Sequence, residues 1–395
     1  MSDPNRPIVE REQRVTPLEL FFDLVFVYAI TQVTTLMSED LTWGGTGHGL
    51  LVLAALWWGW TGFAWLTNML EPEETFVRAG MFAGMAAMLI AALAVPQAFG
   101  TDAVVFAVAF LAVRLVNLAL YLVAGKREPE FLRVVARFAP TGAVGPLIIL
   151  GAAFAHGIAQ TVLWVIAVLA LYAGPLIDRG EGWHIAPAHF AERYGLVVII
   201  ALGESIVAIG FGAVGVGLTP GVITAALLGL AVIAALWWSY FDVMALLAQR
   251  LLSDTTGVAR ARIARDCYSY MHMPMIAGIV LFALGLKITT HDVNAVLDAV
   301  PATALCGGLS LYFFSHVVLR LRLVSFIRRT TSDRPAWIGP GRLAAALGTL
   351  VLVPVAFAVP ALISLGLSAA VCWALIVWDV LHYRESRTEV RQARP

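Results

Sequence analysis

The residues of this sequence that are able to do chemistry are charged groups placed inside long apolar stretches. Asp23, Glu204 and Asp242 each lie among apolar neighbours, and Arg114, with Asn117 nearly one helical turn later, is the basic residue well inside such a stretch. A carboxylate in such surroundings can bind a cation or carry a proton, and a guanidinium can hold an anion. The simplest electrostatic arrangement pairs Arg114 with one of the three carboxylates, either as a structural ion pair or as a gate or substrate clamp.

One side of the first apolar stretch is polar along much of its length. Residues 16–19 read Thr-Pro-Leu-Glu, the pattern of a helix capping box with proline at the first helical position. Glu19 is therefore predicted to be a cap residue, with a binding role as the alternative. Asp23 lies a turn deeper, too deep for a cap, and Thr34 follows on nearly the same side of the helix, with Thr31 further round. The stripe predicts either a functional carboxylate or a structural, hydrogen-bonded one.

Two histidines extend the set of candidate residues. His189 and Glu192 are three residues apart and share a helical face. A single His-x-x-Glu is a weak metal signal, because di-metal bundles use it twice together with two further carboxylates, so neither a metal nor a cofactor is predicted. His272 fits a hydrogen-bonded core residue or a proton relay. Glu204 lies in mid-stretch between a glycine and a serine, where helices can approach closely, which favours a functional role.

The composition determines which elements must position these groups. Of 395 residues, 60% are hydrophobic and 13% are charged, with 26 basic and 26 acidic residues and no net charge. Soluble domains carry about 25% charged residues, and the mean hydropathy here is +0.84. The sequence thus predicts an all-α polytopic membrane protein whose partner is the lipid bilayer. It excludes a secreted disulfide scaffold, a disordered protein and a nucleic-acid-binding domain.

About twelve segments are apolar and long enough to span a membrane. They cover roughly residues 17–37, 48–69, 77–98, 102–124, 134–155, 159–177, 188–213, 220–248, 268–288, 295–319, 342–359 and 361–382. With the N-terminus inside, Lys287 alone lies on the opposite side and Arg114 inside a span, while every other basic residue is cytoplasmic. This bias follows the positive-inside rule. It predicts a plasma-membrane protein with both termini in the cytoplasm.

The chain also repeats itself weakly. Residues 54–58 and 234–238 both read Ala-Ala-Leu-Trp-Trp, in the second and eighth predicted spans. Two parallel six-helix repeats are therefore predicted, at 17–178 and 179–383, between cytoplasmic tails at 1–16 and 384–395. Because each repeat has an even number of spans, both repeats insert in the same orientation. The pseudo-twofold axis that relates them would run along the membrane normal. Trp57 and Trp237, which match in the repeat, are expected to pack between helices.

Three sequence segments, taken together in their order and spacing, form a distinctive pattern. They read LELFFDLVFV at 18–27, HFAERYG through ALGESI at 189–206, and YSYMHMP at 268–274. In order and spacing they resemble the bacterial low-temperature-requirement A (LtrA) family, a family of multi-span membrane proteins. The resemblance covers nearly the whole chain. It implies that Glu19, Asp23, His189, Glu192, Glu204 and His272 are motif positions, without assigning their roles.

Residues 22–31 have a second, weaker resemblance. They are similar to the F-S-D-G-V-F-A-I-A-I-T signature of a potassium-channel family that is also built on six-helix repeats, in which the first helix lines the pore. Here Phe22 stands in place of the serine and Leu24 in place of the glycine. The second half has Tyr194, Gly195 and Leu196 where the motif would recur. These departures favour a shared architecture over a shared channel activity.

The leading functional hypothesis is a permease or ion/proton-coupled transporter for a small solute or ion, with a charged site between the two halves. The site would draw on Asp23, Glu204, Asp242 and Arg114. The alternatives are a cation channel, a membrane enzyme that uses His189, Glu192 and His272, and a purely structural or sensory role. No nucleotide-binding motif is present, so ATP-driven transport by this chain alone is not expected. The Gly-x-x-x-Gly at residues 80–84 fits either a homodimer or packing within one chain.

Overall fold

The computed structural model describes residues 14–70, 74–127, 129–177, 182–330 and 340–382. Twelve helical segments of the described chain are labelled α1 to α12 in order. They are Pro17–Glu39, Trp43–Leu66, Thr75–Gln97, Ala103–Arg127, Pro129–Ala152, Ile158–Ile177, Pro187–Ala213, Pro220–Asp254, Gly257–His291, Ala299–Phe326, Gly341–Ala356 and Ala361–His382. Residues 1–13 and 384–395 of the two predicted tails lie outside the described residues.

Ten helices of the described chain are long and apolar enough to cross a membrane. Two apolar helical stretches are shorter, at Gly142–Ala152 within α5 and at Gly341–Ala356, which is α11. The chain is therefore a helical, multi-pass membrane protein. All twelve predicted segments overlap helices, and the two largest differences are at α9, which begins at Gly257 instead of residue 268, and at α10, whose helix continues to Thr330 instead of ending at residue 319. The extra turns contain arginines and an aspartate, which lower the hydropathy on which the prediction was based.

The sequence explains where several helices begin. The Thr16 hydroxyl accepts a hydrogen bond from the Glu19 N–H, and the Glu19 carboxylate accepts one from the Thr16 N–H, so the predicted capping box is confirmed. Thr42 caps α2 through the Gly45 N–H, and Thr219 caps α8 through the Val222 N–H. Each side-chain oxygen satisfies an N–H group that the first helical turn leaves without a partner.

Among the described residues, three helices contain a widened, π-helical turn. These turns lie at Tyr240–Met244 in α8, Ala264–Tyr270 in α9 and Thr303–Gly307 in α10. A π-turn inserts one extra residue per turn and so redirects the side chains that follow it. In α9 this turn carries Ser269, which bonds to side chains of two other helices, and in α8 it carries Asp242.

Most of the contacts among the described helices α1–α6 recur among α7–α12, although the contact of α2 with α4 has no counterpart of similar size. α1 contacts α2 and α3, α3 contacts α4, α4 contacts α5, α5 contacts α6, and α2 contacts α6. In the same way α7 contacts α8 and α9, α9 contacts α10, α10 contacts α11, α11 contacts α12, and α8 contacts α12. The two sets meet where α1 packs on α7 and α9, and where α2 packs on α7 and α9.

Glycines allow two of the closest helix contacts. A Cβ built on Gly278 of α9 would stand 2.6 Å from the Gly308 carbonyl oxygen of α10, so these backbones nearly touch. In α3, a Cβ on Gly80 or on Gly84 would stand 2.5 Å from Leu120 or Phe63, respectively. The Gly-x-x-x-Gly pair therefore packs within the chain.

The tryptophans of the sequence repeat take different environments. Trp57 is fully buried between helices, as expected, and its ring lies 5.1 Å from that of Trp60. Trp237 is 47% exposed on the outer face of α8, so the expectation that it packs between helices is wrong. The difference arises because α2 lies at the centre of the molecule, in contact with α1, α4, α6, α7 and α9, whereas α8 lies nearer its periphery.

Candidate functional site

Four charged or titratable side chains from α1 and α7 meet where both helices begin. We call Glu19, Asp23, His189 and Arg193 the α1–α7 charge cluster. The Arg193 guanidinium lies 3.0 Å from Asp23 Oδ1 and 3.7 Å from Glu19 Oε1, and His189 Nε2 lies 3.0 Å from Glu19 Oε1. The exposed fraction of Glu19 and Arg193 is 0%, so the cluster is closed off from solvent. Opposite charges neutralise each other here, which is what makes their burial tolerable.

Helical spacing assembles this cluster. Glu19 and Asp23 are four residues apart on α1, and His189 and Arg193 are four apart on α7, so each pair shares one helical face. Trp60 of α2 closes the cluster from a third side. Its Nε1 donates to Asp23 Oδ1 at 2.8 Å, and the Arg193 guanidinium lies 5.6 Å from the centre of its ring.

The hydrogen-bond partners of His189 define its protonation pattern. The Asn68 Oδ1 accepts a hydrogen bond of 2.7 Å from the Ala186 N–H, so its Nδ2 is the atom that faces His189 Nδ1, at 3.1 Å. Because that amide nitrogen can only donate, His189 Nδ1 accepts. The ring proton then lies on Nε2, which donates to the Glu19 carboxylate. Asn68 thus orients His189 towards Glu19, much as an orienting group fixes a tautomer in a relay.

A second polar contact lies further along the same two helices. Glu204 of α7 is 2% exposed and accepts a hydrogen bond of 2.5 Å from the Thr31 hydroxyl of α1. None of the ion pairs in the described part of the chain includes Glu204. Near the other end of α1, Lys287 of α9 donates to the Ser38 hydroxyl at 2.9 Å.

These contacts form a line along α1, which we call the α1 polar line. It starts at Glu19 and Asp23, passes Thr31 with Glu204, and ends at Ser38 with Lys287. At a rise of 1.5 Å per residue, Glu19 and Ser38 are about 28 Å apart along the helix. A bilayer hydrocarbon core is about 30 Å thick. The line therefore extends over the thickness of a membrane, on the side of α1 that faces α7 and α9.

Arg114 and Asn117 lie at a different place, in a cavity of about 80 Å³ between α2, α4, α6 and α9. Arg114 is 7% exposed and Asn117 is 1% exposed. Both pack against Gly62, where a Cβ would stand 2.6 Å from Arg114 Nη1 and 2.9 Å from Asn117 Oδ1. Within the described chain, Nε and Nη1 of Arg114 and both amide atoms of Asn117 have no hydrogen-bond partner.

The predicted ion pair of Arg114 is wrong. Asp23 is paired with Arg193 instead, and Glu204 binds Thr31. In the described ranges, no ion pair includes Arg114. The reason is positional, because Arg114 is on α4 and projects towards α2, whereas Asp23 and Glu204 both face the contact of α1 with α7.

The remaining predicted residues are not brought together. Glu192 is exposed and accepts a hydrogen bond from the Val15 N–H, and Asp242 is half-buried in α8. His272 Nδ1 lies 3.0 Å from the Cys267 carbonyl and its Nε2 lies 2.8 Å from the Tyr240 hydroxyl, so both ring nitrogens are satisfied. Among the described residues, no group of three His, Cys, Asp or Glu is placed to hold a metal ion.

Sequence reasoning missed four residues that build these sites. Arg193 was counted as a residue that flanks a span, although its spacing of four from His189 signals a shared face. Trp60 and Asn68 gave no signal, since their partners lie on other helices. Ser269 accepts from Trp65 Nε1 at 2.9 Å and bonds to the Tyr194 hydroxyl at 2.8 Å, while its carbonyl accepts from Trp57 Nε1.

Comparison with known proteins identifies the family. No solved structure matches the chain. The chain is 31% identical over 280 residues to the "Uncharacterized protein RA0937" of Rhizobium meliloti (strain 1021), an alignment that covers 68% of this chain and 67% of the relative. The family model described as "Bacterial low temperature requirement A protein (LtrA)" matches residues 14–377, which include the charge cluster, the α1 polar line and the cavity. The chain therefore belongs to the bacterial low temperature requirement A (LtrA) family.

Proposed function

We propose that the chain is a permease that couples movement of a small solute to movement of protons or another cation. The observation that carries the proposal is the α1 polar line, which joins α1 to α7 and α9 over the thickness of a bilayer. Polar groups inside a membrane are costly, and they persist where they serve an ion or substrate pathway. Structural packing alone does not need a line that reaches both ends of a helix.

Glu204 is the residue of this line best suited to carry the coupling ion. It is buried, its hydrogen bond comes from the neutral hydroxyl of Thr31, and the described part of the chain gives it no ion pair. A buried carboxylate that forms no ion pair costs several kcal/mol of desolvation, and the longer-range attraction of Lys287 offsets that cost only in part. Binding a proton or a metal cation removes that cost, so Glu204 is a place where such an ion is gained and lost.

The architecture we propose has two parallel halves of six spans, at 17–178 and 179–383. The matching contacts of α1–α6 and α7–α12 support the duplication, together with the repeated residues 54–58 and 234–238. In this arrangement α5 and α11 also cross the membrane, which makes twelve spans. Both termini then lie in the cytoplasm, and the protein sits in the plasma membrane. The polar line and the cavity both lie between the halves, where duplicated transporters place their sites.

A carrier fits the geometry better than the two alternatives. A cation channel needs an open polar path, whereas the beginning of α1 is closed by the charge cluster, with Glu19 and Arg193 at 0% exposure. A membrane enzyme that uses His189, Glu192 and His272 needs these groups at one site. His189 contacts Asn68 and Glu19, Glu192 faces outward, and His272 contacts Tyr240, so they serve separate places.

The test is flux in proteoliposomes that contain the purified protein and an internal pH dye. A membrane potential set with potassium and valinomycin drives proton movement, which is recorded with a panel of amino acids, organic anions and monovalent cations. We expect solute-dependent proton or cation flux in the wild type and a decrease of at least about tenfold in Glu204→Gln. Glu39→Gln, the same change at the exposed end of α1, is the matched control and retains full flux.

Two results would contradict the proposal. The first is the absence of any gradient-driven flux of protons, sodium or potassium with every member of the panel. The second is equal flux in Glu204→Gln and the wild type. Discrete single-channel steps in planar bilayers would favour the channel instead.

A further inference from the structure

The cavity between α2, α4, α6 and α9 is lined by a buried guanidinium, that of Arg114, two of whose nitrogens have no acceptor in the described part of the chain. Arg114 is 7% exposed, and its Nε and Nη1 donate to no group in the described chain. A guanidinium carries five N–H donors and no acceptor, so only an oxygen-bearing or anionic partner satisfies it. Leaving such a charge buried without a partner is strongly destabilising. The unpaired nitrogens of Arg114 lie beside a cavity that has room for another molecule.

Asn117 supplies a second unsatisfied group at the same place. It is 1% exposed, and neither its Nδ2 nor its Oδ1 has a hydrogen-bond partner in the described residues. Asn117 is three residues after Arg114 on α4, so both side chains leave the helix on one face. Both project towards Gly62 of α2, whose missing side chain leaves the space that they occupy. Arg114 Nη1 and the Asn117 amide oxygen therefore lie near one point, and the Asn117 Nδ2 is a second N–H donor of the pair that has no partner in the described residues.

The rest of the cavity wall is positive on one side and aromatic on the other. Arg262 and Arg265 of α9 line it, and Arg265 bonds to Asp266 and to the Pro175 carbonyl. Asp266 also pairs with Arg322, so the acid is shared between two arginines. Aromatic side chains complete the wall at Trp58, Trp65, Tyr121 and Trp183. A ligand that fits such a cavity has an anionic end and a flat apolar end, as a small aromatic carboxylate does.

The size and the access of the cavity agree with this ligand. Its 80 Å³ exceed the 10–15 Å³ that hold one water molecule. Arg262 lines the cavity and is exposed, so on that side the cavity wall reaches the protein surface. The N–H groups of a guanidinium match the two oxygens of a carboxylate in geometry. A carboxylate therefore binds a guanidinium more strongly than a neutral amide group does.

We propose that this cavity binds a small organic anion through its carboxylate, with Arg114 and Asn117 as the binding groups and the tryptophans around its apolar body. The transport of that anion rests on the proposed function, but its binding does not. Binding is measurable on the purified protein without a gradient, whereas the coupling by Glu204 is measurable only as flux. The two proposals therefore fail independently.

The experiment is titration calorimetry and tryptophan fluorescence on the whole chain in nanodiscs, with benzoate as the probe. Benzamide is the uncharged analogue, and chloride is the inorganic anion. We expect saturable benzoate binding, with no binding of benzamide and no competition by chloride at the same concentration. Arg114→Gln and Asn117→Ala each weaken benzoate binding, by at least about tenfold for Arg114→Gln, because a charge-assisted bond is lost. Arg78→Gln, an exposed arginine on α3, is the matched control with unchanged affinity.

A folding control separates a binding group from a structural one. An arginine without a partner does not stabilise the ligand-free chain, so Arg114→Gln is expected to melt at or above the temperature of the wild type. A lower melting temperature without ligand would show that Arg114 has a structural partner and would overturn the proposal. Equal benzoate affinity in the wild type and Arg114→Gln would overturn it too. So would binding of chloride in preference to benzoate.

Discussion

The Asp23–Arg193 pair offers the sharpest test of how the first and seventh helices are joined. Arg193 is fully buried, with one nitrogen 3.0 Å from Asp23 and another 3.7 Å from Glu19. Removing one partner of a buried pair leaves an uncompensated charge and costs about 3–5 kcal/mol of unfolding free energy. Arg193→Gln is therefore expected to destabilise the protein by about that amount. Asp23→Asn is expected to cost less, because Arg193 keeps Glu19.

The double variant measures the interaction itself. When both charges are removed, no unpaired ion remains, so the two losses are expected not to add. The coupling energy is then about 1–3 kcal/mol, the range for residues that share one buried network. The assay is unfolding by sodium dodecyl sulfate in mixed micelles, followed by tryptophan fluorescence, for the four proteins of the cycle.

The control for this cycle is a pair at the surface. Arg322 bonds to Asp266 but has 43% of its side chain exposed. Such pairs contribute about 0–1 kcal/mol, so Arg322→Gln is expected to have little effect. The reasoning is refuted if Arg193→Gln costs no more than Arg322→Gln, or if the coupling energy between Asp23 and Arg193 falls below about 0.5 kcal/mol.

Three further predictions concern packing and hydrogen bonds. Gly278→Ala is expected to lower stability by about 1–3 kcal/mol in the same micelle assay, because its Cβ meets the Gly308 backbone. Gly210→Ala, where a Cβ meets nothing within 4 Å, is the control and is expected to be neutral or slightly stabilising. Asn68→Ala leaves His189 Nδ1 and the Ala186 N–H unpaired, for a loss of about 1–3 kcal/mol; an unchanged unfolding midpoint would argue against these two hydrogen bonds. Ser269→Ala removes the acceptor of Trp65 and is expected to shift its fluorescence emission, whereas no shift would argue against that bond.

The sequence predicted well the features that depend on one helix alone. The capping box of Thr16 and Glu19 is confirmed, since its partners are three residues apart. The polar stripe on α1 is present as well, because helical geometry places Asp23, Thr31 and Thr34 on related sides. The positions of the apolar segments follow from hydropathy, and the prediction differs most from the structure where charged turns extend α9 and α10.

Features that depend on two helices were less predictable. The prediction that Arg114 pairs with a carboxylate was based on charge and on depth in the membrane. Neither property shows which side of α4 faces α1. Arg193 lies near the beginning of α7 and resembles an arginine that flanks a span. Only the contact between α1 and α7 turns it inward onto Asp23. The contrast between Trp57 and Trp237 has the same origin. The two tryptophans match in sequence, but one is buried because α2 is surrounded by other helices and the other is exposed because α8 lies nearer the periphery.

Ser269 has a consequence for how the molecule would move. Its carbonyl accepts from Trp57 and its hydroxyl from Trp65, both of α2, so one serine joins α9 to α2. Each such hydrogen bond contributes about 1 kcal/mol, so the two together stabilise the contact of α9 with α2 by about 2 kcal/mol. A tenfold solute gradient supplies about 1.4 kcal/mol. In a carrier of the kind proposed, a tenfold gradient alone would thus not separate α2 from α9.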